Sequence, residues 1–147
     1  MKTLKYFTCF VALFVTIISL NACSSDDSSR DLEDYIIGNW QSYKCVVYAQ
    51  GEKYDVEVSK NGQYSHSYFE FTFEKNGKAI VGMWDVDNFG ASSWVKKNVS
   101  YTLNNDIVEL NNEGSLLTLM YEENKKELYF RYYQSSESYG YLYLRKQ

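Results

Sequence analysis

No proline occurs in the 147 residues, and histidine occurs once. The lone His66, in Tyr64-Ser65-His66-Ser67-Tyr68, has serines on both sides but nothing around it that would activate one, so nucleophilic catalysis has no evident base. It reads as a surface histidine beside a turn. One histidine and a few cysteines cannot assemble a zinc site, and the acidic residues do not follow a calcium-loop spacing. Paired carboxylates are the remaining catalytic arrangement. Asp85 and Asp87 lie two apart beside Trp84 and Trp94, a spacing that more often makes a solvated strand face than a hydrolase centre. No enzymatic activity, metal or cofactor is expected.

A long basic run is also missing. The only basic clusters are the pairs Lys96-Lys97, Lys125-Lys126 and Arg145-Lys146, against 19 acidic residues and a net charge of −4, which argues against nucleic acid as a partner.

What is present begins at the N-terminus. Lys2 and Lys5 precede an apolar run over residues 6–20, too short to span a membrane and laid out like a secretory signal. It closes on Leu20-Asn21-Ala22-Cys23, which resembles the bacterial lipobox. The resemblance implies cleavage after residue 22 and acylation of Cys23. The expected organisation is a signal peptide over residues 1–22, a tether over 23–30 and one domain over 31–147. Ser24, Ser25, Asp26, Asp27, Ser28 and Ser29 carry nothing apolar to bury and suit a flexible linker. Asp26 and Asp27 also resemble the acidic export signal of surface lipoproteins of Bacteroidota. Together these imply a lipid-anchored protein of the bacterial outer membrane, on its cell-surface or periplasmic face, with the membrane as first partner.

Without residues 1–22 the chain keeps 13 basic and 19 acidic residues, a net charge of −6. Cys9 leaves with the signal and Cys23 is taken by lipid, so Cys45 has no disulfide partner and reads as a small buried hydrophobe. The core must hold the fold unaided.

Aromatic residues are abundant, with 15 tyrosines, 8 phenylalanines and 3 tryptophans, and in the absence of proline they favour strands. Residues 31–37 can form one or two helical turns, with Asp31 as N-cap and Gly38 as stop. Strands are expected over 39–50, 52–60, 67–75, 78–86, 95–103, 107–111, 115–122, 127–134 and 139–146. In Phe69-Glu70-Phe71-Thr72-Phe73-Glu74 the phenylalanines share one face, and Asn76-Gly77 supplies the positive φ angles of a tight hairpin. Eight or nine strands joined by short loops without a helical crossover predict an all-β, antiparallel up-and-down barrel.

A helical turn leading into Gly38-Asn39-Trp40, the following strands, and Arg145 near the chain's end resemble lipocalin-like domains of bacterial lipoproteins, over residues 31–147. The Thr-Asp-Tyr motif of classical lipocalins and a C-terminal helix are missing. The resemblance implies that Trp40 closes one end of the barrel with Arg145 across its ring, making Gly38, Trp40 and Arg145 structural. A guanidinium on an indole face contributes about 0.5–2 kcal/mol.

The last strand leaves two arrangements open. Either Arg145 points inward and Tyr139, Tyr141 and Tyr143 line a cavity with it, or Leu142 and Leu144 fill the core and the tyrosines form a surface ladder; a one-residue bulge would reconcile them. Ligand-binding candidates are Trp84, Trp94, Phe89, Tyr139, Tyr141 and Tyr143, stacking rings, all but Phe89 with a polar tip, suited to sugars, tetrapyrroles or lipids. The implied function is a lipid-anchored envelope protein binding a small, partly apolar or aromatic-stacking ligand. The alternative is an accessory protein with a filled barrel whose residues 85–97 contact an envelope protein.

Overall fold

Alternation of apolar and polar residues builds nearly every strand of the domain, and the apolar set of each strand turns to a common interior. The computed structural model describes residues 27–135 and 137–147. A helix α1 (Asp27–Ile36) is followed by nine strands: β1 (Gly38–Ala49), β2 (Glu52–Glu57), β3 (Phe69–Phe73), β4 (Lys78–Val86), β5 (Ser92–Asn104), β6 (Ile107–Asn112), β7 (Ser115–Glu122), β8 (Glu127–Gln134) and β9 (Ser138–Lys146). The helix starts four residues before the expected Asp31, so it reaches into the stretch read as tether. The signal segment and Cys23 lie outside the described residues.

All neighbouring pairs are antiparallel, and β9 returns to β1, closing β1 and β3–β9 into an eight-stranded barrel. The ninth strand is extra: β2 pairs with residues 44–49 of β1, and β3 takes residues 38–41 on the same edge. This is the predicted all-β, antiparallel up-and-down barrel.

Two-residue turns with positive φ at both positions occur at Gln50-Gly51 and Glu113-Gly114. Asn76-Gly77, expected to be such a turn, has positive φ only at Gly77, and the Asn76 side chain instead accepts the Lys78 amide at 3.1 Å. The connection expected between residues 86 and 95 is shorter. β4 continues to Val86 and β5 begins at Ser92, because Trp84 and Trp94 are directly opposed on the two strands.

The core consists of inward side chains from every barrel strand. Trp40, Phe71, Val108, Leu119, Leu128, Leu142 and Leu144 are fully buried, and Phe73, Leu110 and Phe130 nearly so. At one end, α1 lays Leu32 and Ile36 against this core as a plug. Here the ladder between β7 and β8 pairs Met120 with Tyr129 and Glu122 with Glu127. It continues no higher. Residues 92–99 of β5 likewise rise beyond the last pair it makes with β6, Ser100 with Asn111, and the opposite end of the barrel flares.

Candidate binding surfaces

Trp40 anchors the closed end. Its Nε1 donates to the Ile36 carbonyl at 2.8 Å, and its ring meets the edge of Tyr35 at 5.8 Å. Arg145 is not on this ring. It pairs with Gln41 on the outer face and lies 5.1 Å from the centre of the Tyr43 ring. The inward basic residue is Lys146, directly opposite Trp40. Its ammonium stands 4.7 Å over Tyr35 and donates to the Tyr35 carbonyl. Gly38, with φ at +122°, lets this side chain pass: a Cβ there would come within 3.3 Å of the Lys146 stem. Sealing therefore runs from Lys146 through Tyr35 to Trp40, and Arg145 has no part in it. Alternation explains the correction, since Leu142 and Leu144 are buried and the next residue of that parity is Lys146.

A bulge does occur, but in β1. Ser42 faces inward with Trp40, the extra residue Tyr43 and the next, Lys44, both project outward, and Cys45 returns to the core. At the bulge the buried Ser42 hydroxyl accepts the Phe69 amide at 2.8 Å, a bond beyond the end of the β1–β3 ladder. Cys45 is a buried free thiol, and burial pushes its pKa up, so it is no activated nucleophile.

Tyr139, Tyr141 and Tyr143 all lie outside the barrel, the second of the two arrangements. They join Tyr48 and Tyr129 in a continuous aromatic strip: Tyr48 stacks on Tyr139 at 4.8 Å, Tyr129 stacks on Tyr143 at 5.5 Å, and Tyr141 meets Tyr48, Tyr129 and Tyr139 edge-on within 6.5 Å. On the same face Val46, paired with Tyr141, is only 3% exposed. Lys44 lies 4.6 Å over Tyr143 and Arg131 5.7 Å over Tyr141. Tyr43 donates to Glu127 from across β9; burial and that carboxylate drive its pKa far up, so it stays protonated.

Trp84 and Trp94 are also outside, packed edge to face at 5.6 Å. Trp94 lies against Gly82, where a Cβ would come within 2.6 Å of its ring, and Lys60 sits 3.9 Å above it. Both indole N–H groups are buried without a hydrogen-bond partner among the described residues. The rings belong to a packed outer wall with Tyr68, 5.8 Å from Trp94. Phe89 stands apart at the tip of the β4–β5 hairpin, 95% exposed. Asp85 and Asp87 do not form a carboxylate pair: Asp87 lies in this turn and accepts the amides of Phe89 and Ala91 at 2.9 and 2.8 Å. His66 is exposed in a 3-10 turn, as read from the sequence.

Inside the flared end a pocket of about 180 Å³ remains, walled by Phe69, Val81, Met83, Val99, Leu110 and Leu117, with Lys97 and Asn112 among its polar lining. Tyr132 donates to the His66 carbonyl at 3.4 Å, joining β8 to residues 59–68 and narrowing this end. A larger groove of about 460 Å³ lies outside, lined by Tyr43, Lys44 and Arg145, by Asp55 and Glu57 of β2, and by Lys60 and Tyr68. No cluster of metal-ligating side chains occurs among the described residues.

The sequence pointed to Tyr139, Tyr141 and Tyr143 but missed Tyr43, Lys44, Tyr48 and Tyr129 beside them. Tyr129 was findable, since it alternates with Leu128 and Phe130 in β8. Lys44 was not, because its side depends on the bulge.

No family model matches the chain, and no curated protein matches it. Among solved structures it is similar to a redesigned β-barrel at 14% identity and a TM-score of 0.39, covering 84% of this chain and 99% of that one. It is also similar to lobster apocrustacyanin A1 at 14% identity and a TM-score of 0.37, covering 84% and 71% of the two chains.

Proposed function

We propose that the chain is a non-enzymatic binding protein, held at the bacterial outer membrane by acylated Cys23, that receives an aromatic-stacking ligand on the outside of its barrel. The observation that carries this reading is the inversion of the last strand: leucines fill the interior and tyrosines make the outer strip. The pocket inside the flared end, about 180 Å³, falls below the roughly 300–1,000 Å³ of ligand pockets. An eight-stranded barrel is wide enough either to hold one small ligand or to be filled by its own side chains, and here Trp40, Phe71, Val108, Leu119, Leu128, Leu142 and Leu144 are fully buried.

Hydroxyl-radical footprinting of intact cells against the purified full chain tests the location. Protection of Tyr139, Tyr141 and Tyr143 in cells is expected; protection confined to Met83 and Leu117 in the flared end would move binding inside. Anchoring is tested separately. Each buried acyl methylene contributes about 0.8 kcal/mol, so Cys23→Ser should leave the membrane fraction as folded protein.

One observation favours an envelope protein as partner instead. Phe89 is a bare aromatic knob beside Val86, itself 53% exposed. If that hairpin is the contact, Phe89→Ser abolishes cross-linking to a reproducible protein partner and leaves the tyrosine footprint unchanged.

A further inference from the structure

We propose that the open edge of β2 is a pairing surface for a second copy of this chain, the two β2 strands running antiparallel about a two-fold axis at Tyr54.

β2 lies outside the closed barrel and bonds to β1 alone. Among the described residues no backbone hydrogen bond is made from its other side, and every residue of the strand except Val56 is exposed. Which groups that edge offers follows from the turn. Ala49 and Glu52 flank the two-residue Gln50-Gly51 loop, so they exchange hydrogen bonds, as do alternate pairs along the ladder. The Val58 amide, of the same parity as Glu52, continues this set by donating to the Tyr43 carbonyl at 2.9 Å. The N–H and C=O groups of Lys53, Asp55 and Glu57 therefore point away from β1, to the open side.

Charged residues on an edge strand ordinarily discourage pairing with a foreign strand. Here they are spaced to accept a like copy in one register. With Tyr54 opposite Tyr54 of the second copy, Lys53 stands opposite that copy's Asp55, and Asp55 opposite its Lys53. These are residues whose backbone groups face outward, so each oppositely charged pair also exchanges two backbone bonds. A slip of two residues one way sets Lys53 against Lys53, and the other way Asp55 against Asp55. Within one chain Lys53 and Asp55 lie 3.6 Å apart with side chains more than half exposed, so both are on one face and accessible to a partner. Residues 92–99 of β5, which also extend past their neighbour β6, include Lys96 and Lys97 and no acid, and offer a like copy only like charges. Because β2 has a single open edge, the pairing closes at two copies instead of growing into a fibre.

The test is disulfide trapping of the full chain in intact cells, with Tyr54→Cys and Glu52→Cys oxidised by copper–phenanthroline and the unsubstituted chain as control for Cys23 and Cys45. The two-fold axis puts the Cα atoms of the two residues 54 about 4.5 Å apart, within bridging range, and those of the two residues 52 about 14 Å apart. Tyr54→Cys should therefore give a disulfide-linked dimer beyond the control, and Glu52→Cys should not. Added to Tyr54→Cys, Lys53→Asp and Asp55→Lys should each lower the dimer yield about tenfold, because both cross-strand pairs become like-charged. Co-expression of these two variants should restore it, since each meets the opposite charge in the other while the ion pair within each chain stays broken. Absence of dimer from Tyr54→Cys, equal dimer from Glu52→Cys, or no recovery on co-expression would overturn the proposal. A disulfide to a different protein in place of the dimer would also overturn it, and would give the edge to a foreign strand.

Discussion

The two ends of the barrel use the same alternation of side chains and finish it differently. At the closed end, α1, Trp40, Tyr35 and Lys146 converge, and the β7–β8 ladder is in place. At the flared end that ladder stops, β5 rises beyond β6, and a small apolar pocket is left between Phe69 and Leu117. The seal is made by Trp40, Tyr35 and Lys146 in contact, beside an unbroken run of β7–β8 pairs. The difference teaches that the interior holds the fold together, most firmly at one end.

The largest expected effect breaks the seal. Trp40→Ala removes a fully buried indole and its hydrogen bond to Ile36, and should cost about 3–5 kcal/mol in urea unfolding. Leu117→Ala, at the half-buried flared end, should cost less than half as much. Equal losses would mean that the two ends are equally well packed.

A second comparison separates the neighbours Arg145 and Lys146. Lys146→Ala should lower stability by about 1–2 kcal/mol, because a cation–π contact and a charge-assisted bond to the Tyr35 carbonyl both disappear. Arg145→Ala, on the exposed outer face, should cost below about 1 kcal/mol. The reverse order would restore Arg145 as the residue that closes the barrel.

The smallest effect concerns pH and the outer wall near the flared end. Burial first, and the neighbouring Glu70 carboxylate second, push the Tyr68 hydroxyl from 10.0 up to about 12. Between those values the unfolded chain releases this proton and the folded one retains it. Tyr68 therefore favours the fold fully below about pH 10, and that contribution drains away as pH rises toward about 12. Unfolding measured at about pH 9 and about pH 11 should show a decline that Tyr68→Phe makes shallower. An unchanged decline in the variant would place Tyr68 in a more open environment.

The count of strands, their antiparallel order and the shared face of Phe69, Phe71 and Phe73 were legible in the sequence, because period-two alternation reports directly which residues a sheet buries. The two arrangements of β9 were legible as alternatives, and burial of Leu142 and Leu144 decides between them. The Arg145 assignment went wrong by one position: the family likeness was placed on a residue type, whereas the parity set by the leucines already led to Lys146. Three further features depend on long-range register that local sequence does not carry. The bulge that turns both Tyr43 and Lys44 outward is fixed by pairing with β9, nearly a hundred residues away. The bond from Tyr43 to Glu127 depends on the same closure. The start of β5 at Ser92 follows from Trp94 opposing Trp84 across the hairpin.

The central claim is that the barrel's interior is a scaffold and its tyrosine face is the binding surface. Its most direct test is to compare hydroxyl-radical protection of Tyr139 and Tyr143 in intact cells between Val81→Trp, which fills the internal pocket, and Tyr141→Ala, which opens a gap in the strip, after both are shown to be folded. Unchanged protection in Val81→Trp with loss of protection in Tyr141→Ala is the predicted result. Loss of protection in Val81→Trp with full protection in Tyr141→Ala would contradict the account and return the ligand to the inside of the barrel.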